Sequence, residues 1–171
     1  MDRLHDILQR VMGWTNSHLH MFVVSERQYA APGSELEDME DETRARLSDI
    51  APRVKDSLVY YYDFGDGWRH DVVVEQIAPA DDRFGASPLC LEGARACPPD
   101  DCGGVGGYAE FLAALADPRH ERHEEMLEWS GGGFDPEAFD VMRANELIKR
   151  GKRLPIRPRR GLGPVRQEVL H

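Results

Sequence analysis

The sequence has no long hydrophobic run: nothing in its 171 residues approaches the ~20 consecutive apolar residues that a membrane-spanning helix needs. The start, Met1-Asp2-Arg3, passes straight into an amphipathic pattern without the apolar core of a signal peptide. Cysteine is scarce and odd in number, three residues, which with the missing export signal argues against a structural disulfide framework and leaves free thiols or metal ligands as the options. No Walker lysine follows the glycine run at 103–107, no Gly-x-Ser-x-Gly elbow is present, and no internal repeat is visible. These absences point to a soluble, cytoplasmic, single-domain protein without a membrane partner, whose 41% hydrophobic content suffices for a core.

Basic charge is also sparse over most of the chain. Residues 1–149 hold 14 Lys and Arg against 30 Asp and Glu, whereas residues 150–171 hold seven against one. An acidic body repels a phosphate backbone, so only the tail could bind DNA. That tail, with three prolines and three glycines, lacks apolar periodicity and reads as a loosely held appendage to a domain covering 1–149.

What is present organises itself as an α+β chain. Leu4, Ile7, Leu8, Val11 and Met12 recur with helical period, and Gly13 supplies a left-handed stop. His18 to Val24 alternates as a strand, which puts His18, His20, Phe22 and Val24 on one face. Six acids between Ser34 and Glu42 read as a solvated loop with no chemical role, followed by a short helix near Glu42–Ile50. Two β-rich runs, Leu58–Phe64 and Arg69–Ile77, flank Gly65-Asp66-Gly67-Trp68 and predict a hairpin over about 58–77 within a mixed or antiparallel sheet. Three helices close the domain: one near Gly107–Ala116, one opened by Asp117-Pro118 and ending near Ser130, and one opened by Asp135-Pro136 and running to about Arg150. Phe134 and Phe139 have the spacing of a hydrophobic staple for the last.

The candidate chemistry lies in turn-rich segments. A two-residue Asp66-Gly67 turn would place Asp63 opposite His70, where the carboxylate either orients the imidazole or merely pins the hairpin; a three-residue turn would pair Asp63 with Arg69. Cys90, Cys97 and Cys102 share one loop with Asp100 and Asp101, and His18, His20 and His70 stand on strands, so a mixed Cys/His/Asp site for Zn is feasible. The opposing reading makes the thiols small buried hydrophobes. The candidate functional cluster is therefore His18, His20, Asp63, Asp66, His70, Asp100 and Asp101, with Cys90, Cys97, Cys102 and His70 as the metal-ligating alternative. His120 and His123 read as a solvated face, and the glycines at 103–107 as a tight crossing rather than a phosphate cradle.

The chain resembles the plasmid pRiA4b ORF-3-like family, also described as transposon-passenger resolvase-like proteins. The resemblance rests on Leu4-His5-Asp6-Ile7 through Gly13-Trp14, His18-Leu19-His20-Met21-Phe22, and Tyr62-Asp63-Phe64-Gly65-Asp66-Gly67-Trp68-Arg69-His70. It continues through Cys90-Leu91-Glu92-Gly93, Cys97 to Gly104, Gly107-Tyr108, Phe134-Asp135-Pro136-Glu137 and Asn145, covering about residues 1–148. It implies an α+β domain found on plasmids and mobile elements, with no established reaction. The resolvase label is nominal here, because a recombinase needs arginines around its nucleophile and the acidic body has no such cluster. Family members begin with a strand ahead of the first helix, so either residues precede Met1 or the sheet has an exposed edge that would seek a protein partner or a second copy. The expected role is a non-catalytic accessory or interaction domain; the alternatives are a metal-binding protein or metal-dependent enzyme, and DNA binding through the tail.

Overall fold

A computed structural model describes residues 1–34, 36, 38–79 and 88–150. The basic tail beyond Arg150 lies outside them. Chain order runs α1 (Asp2–Met12), β1 (His20–Val24), β2 (Arg27–Ala30), β3 (Glu40–Asp41), a 3-10 turn (Glu42–Arg44), α2 (Leu47–Ile50), β4 (Ser57–Tyr62) and β5 (Trp68–Val73). Three helices follow, α3 (Gly104–Ala116), α4 (His123–Trp129) and α5 (Val141–Lys149). The strands form one mixed sheet in the order β3-β2-β1-β4-β5, antiparallel except for the β2–β3 pair. The expected α+β class and the four long helical regions are thus present.

Alternation along β4 drives the packing. Leu58, Tyr60 and Tyr62 are buried, and with Phe22, Tyr29, Trp14 and Trp68 they form the main core. Burying aromatic side chains of this size supplies roughly 2–3 kcal/mol each before entropy is counted. Leu4, Leu8 and Met12 lie against this core as the helical period requires, and Gly13 takes the left-handed conformation at φ 91°. The most deeply buried residues of α1 are nonetheless His5 and Gln9, which sit beside the apolar stripe. A second cluster, Phe111, Ala114 and Met126 with Tyr108 and Phe134, joins α3 to α4.

Several boundaries differ from expectation. The strand after α1 begins only at His20, leaving His18 in the preceding loop. The Glu42–Ile50 helix is split into the 3-10 turn and α2. Asp117 and Asp135 cap turns through the amides of Arg119 (2.9 Å) and Glu137 (3.0 Å), while α4 and α5 start later. The cap of α5 is Asp140, whose carboxylate accepts from the Arg143 amide at 3.0 Å. No Phe134–Phe139 staple forms. Phe134 stacks edge-on against Phe111 and Tyr108, and Phe139 lies against Gly93.

The hairpin exists, and its register is not the expected one. Tyr62 pairs with Trp68 and Tyr60 with His70, so Asp63 to Gly67 form a five-residue loop. Asp63 itself explains the difference: at φ 54° it enters the left-handed region, and its Oδ1 accepts from the amides of Gly65 (3.0 Å) and Asp66 (3.3 Å). An aspartate that caps its own turn in this way ends the strand before a two-residue turn can form.

Candidate metal centre

Three loops meet at one end of the sheet, where β1 begins and β4 ends. The 14–18 loop is tied to the 97–102 loop by Trp14 Nε1, which donates to the Pro98 carbonyl at 2.9 Å, and by Thr15 Oγ1, which donates to Asp100 Oδ2 at 3.0 Å. Tyr62 Oη accepts from the Ser17 amide at 3.1 Å and donates to Asp100 Oδ1 at 3.2 Å. Burial, and then the Asp100 charge, push the Tyr62 phenol above its ordinary pKa, so it stays protonated as the donor. The Asp63 amide donates to the Leu19 carbonyl at 3.0 Å, which carries the 63–67 loop alongside His18.

The glycine run is a close crossing. A Cβ on Gly104 would strike the Asp66 carbonyl and one on Gly107 the Cys102 carbonyl, so only glycine lets α3 start against these loops. Asp66 Oδ2 accepts from the Gly103 amide at 3.1 Å and places its charge at the positive end of that helix.

These ties leave one group of donors facing each other. His18 Nε2 lies 3.5 Å from Asp63 Oδ2 and 3.4 Å from Asp101 Oδ1. One donor atom from each of the three residues lies within 4.8 Å of the other two. The His18 and Asp63 side chains are 8% and 5% exposed, Asp101 32%. Although enclosed, His18 Nε2 makes no hydrogen bond. An orphaned buried nitrogen beside two carboxylates is what a bound cation would relieve: it neutralises both charges and takes up the nitrogen lone pair. The donor set is one imidazole nitrogen and two carboxylate oxygens, suited to Mn²⁺, Fe²⁺ or Zn²⁺.

Each residue expected at a site has a definite place. His18, Asp63 and Asp101 converge, while Asp66 and Asp100 brace the loops around them. His20 departs from His18: its Nε2 bonds Glu42 Oε2 at 2.9 Å, and its ring stacks on His5 with centroids 3.5 Å apart. His70 is not opposite Asp63. Its Nδ1 lies 3.3 Å from the Tyr60 carbonyl oxygen and its ring edge-on to Trp14, and burial holds the imidazole below its ordinary pKa.

Among the described residues, Cys90, Cys97, Cys102 and His70 form no close group of donors. Cys97 and Cys102 pack against the main core, and burial, with nearby carboxylates second, raises their thiols to about 12 and about 11. Protonated thiols are poor ligands and poor nucleophiles. The Cys90 backbone is clamped by Asn145, whose side chain accepts from its amide and donates to its carbonyl, both at 2.8 Å. His123 Nδ1 bonds the Ala114 carbonyl at 2.9 Å, and His120 Nδ1 accepts from the Arg122 amide at 3.1 Å.

The family model of the plasmid pRiA4b ORF-3-like proteins matches residues 1–143. The chain belongs to this family. A family relative, the uncharacterized protein y4hQ of Sinorhizobium fredii (strain NBRC 101917 / NGR234), is 42% identical over 151 residues, 86% of this chain and 77% of its own. A crystal structure of a protein of unknown function, MM3350 from Methanosarcina mazei Go1, superposes with a TM-score of 0.71 at 38% identity, covering 81% of this chain and 79% of the other. The blocks by which the sequence resembles the family include His18, Asp63 and Asp101, so the loop cluster lies within the matched region.

Sequence reasoning missed two further residues. Glu42, only 1% exposed, closes a buried network: His5 Nδ1 contacts Tyr60 Oη at 2.8 Å, Gln9 Nε2 donates to the same oxygen at 3.0 Å, and His5 Nε2 contacts Asn16 Oδ1 at 2.9 Å. Glu42 was concealed by its acidic neighbours, and His5 by the apolar stripe around it. No helix of the described residues is long and apolar enough to cross a membrane.

Proposed function

We propose that this chain is a divalent-cation-binding accessory domain, in which His18, Asp63 and Asp101 hold one ion and thereby fix the three loops at the end of the sheet. The observation that carries this reading is the His18 Nε2 atom, enclosed, without a hydrogen bond, and 3.4–3.5 Å from two carboxylates. The donors come from three separate loops, so an ion would cross-link segments distant in sequence and order the surface they form. A role in binding rather than turnover is supported by the raised Cys97 and Cys102 thiols and by the engagement of Asp66 and Asp100 in loop contacts. The family's plasmid association supports an accessory role in mobile DNA, carried out inside the cell.

Isothermal titration of the metal-free full chain with Mn²⁺ and with Zn²⁺ tests the proposal. One ion per chain is expected, with affinity falling at least about 100-fold in His18→Ala and in Asp63→Asn, in line with losing one of three ligands. Failure of the parent chain to bind either ion, or affinity unchanged by both substitutions, would remove the reading.

A protein partner or a second copy at the β5 edge is a separate proposal. It is supported by the position of β5 at the end of the sheet, although Arg69 and Asp71, paired at 2.7 Å, present charge along that strand. Concentration-dependent sedimentation distinguishes a self-associating edge from a guarded one.

A further inference from the structure

We infer that the cation site is one end of a small-molecule site, whose other end is the cavity between α3 and α4, and that its ligand joins an anionic oxygen terminus to an aromatic or branched apolar body. This rests on the cation reading above and adds the ligand class. A cavity of about 330 Å³ lies between the two helices, within the range of small-ligand sites. Asp101 belongs to both features, contributing a donor to the triad and standing among the residues that line the cavity. Because His18 and Asp63 are more than nine-tenths enclosed and Asp101 is a third exposed, an ion seated among them is reached past Asp101. Were an ion held there, its accessible side would be the Asp101 side, and Asp101 is the residue shared with the cavity.

The cavity also has an apolar wall: Phe111 and Met126 are buried, and Trp129, 37% exposed, stands edge-on to Phe111 with centroids 5.3 Å apart. This wall matches a flat or branched apolar group. Charge then selects the terminus. Asp101, Glu110 and Glu125 line the cavity against one cation, Arg122, which Glu125 already holds through two 3.0 Å hydrogen bonds. Such a lining repels an anion until a divalent ion reverses the sign at the Asp101 end. Anion binding is thus conditional on the metal.

The test measures line broadening of phenylphosphonate ring protons by the full chain loaded with Mn²⁺, beside titrations of metal affinity. Saturable broadening is expected with the Mn²⁺-loaded chain, and binding of the same probe to the metal-free chain should be lost. Methylphosphonate, which lacks the apolar body, should bind at least about tenfold more weakly. Trp129→Ala, with Trp129→Leu as a second variant, should keep its Mn²⁺ affinity and lose that preference. If Mn²⁺ binds and phenylphosphonate does not, or binds no better than methylphosphonate, this inference falls while the cation site stands. Benzylamine saturating the metal-free chain in its place would make the cavity a site for organic cations and overturn it equally. If Mn²⁺ itself fails to bind, both proposals fall.

Discussion

At the scale of single residues, environment has separated side chains that look alike in the sequence. Four aspartates lie in the two turn-rich motifs, yet Asp66 and Asp100 brace neighbouring loops, whereas Asp63, whose Oδ1 accepts from two amides of its own loop, and Asp101 each turn an oxygen toward His18. Composition announces carboxylates there and cannot assign them, because the difference lies in which amides each oxygen meets after folding. Thiols show the same point: spacing leaves ligand and buried hydrophobe open, and desolvation decides for the protonated form at Cys97 and Cys102. Both should react with iodoacetamide at pH 8 at least about 100-fold more slowly than an unhindered thiol, with rates that climb steeply above pH 10. Mass-spectrometric labelling at each residue checks this; rapid labelling of Cys97 at pH 8 would contradict the burial on which it rests.

At the scale of elements, hydrophobic period and punctuation located α1, the strand pair of the hairpin and α3. They did not locate register. Asp63 and Asp66 are both residues that start turns, and only the engagement of the Asp63 carboxylate with two loop amides selects the longer loop. Similarly, Asp135 and Asp140 are both competent caps, and the chain uses the first for a turn and the second for α5. The start of α3 depends on close backbone approach: Gly104 sits at φ 67° with the Asp66 carbonyl where a Cβ would be. Gly104→Ala should therefore lower stability by about 1–3 kcal/mol, since it combines left-handed strain with a backbone clash. Urea unfolding measures this as a lower midpoint at unchanged slope. A loss below about 0.3 kcal/mol would mean that α3 and the 63–67 loop are not in this contact.

At the scale of the whole molecule, the fold class was legible because buried aromatics alternate along β4 and the helices carry their own stop signals. The polar interior was not. His20, Glu42, His5, Tyr60, Gln9 and Asn16 come from α1, its following loop, two strands and the turn after β3, so no local pattern can show that they meet. Enclosed in the core, the His20–Glu42 pair is costly to break, because the partner left behind stays buried without compensation. Glu42→Ala should cost roughly 2–4 kcal/mol, while Glu42→Gln, which keeps an acceptor, should cost less. Thermal and urea unfolding of the two variants measure the contrast, and equal losses would place the cost in packing rather than in the hydrogen bond.

That network locks α1 and the turn after β3 onto the sheet, while the loops at the end where β1 begins and β4 ends carry His18, Asp63 and Asp101. The most direct measurement of the central claim is anomalous diffraction from crystals of the full chain equilibrated with Mn²⁺. The account predicts one strong peak about 2.0–2.4 Å from His18 Nε2 and from a carboxylate oxygen of each of Asp63 and Asp101. A peak at the cysteines instead, or none between these three residues at saturating Mn²⁺, would contradict it.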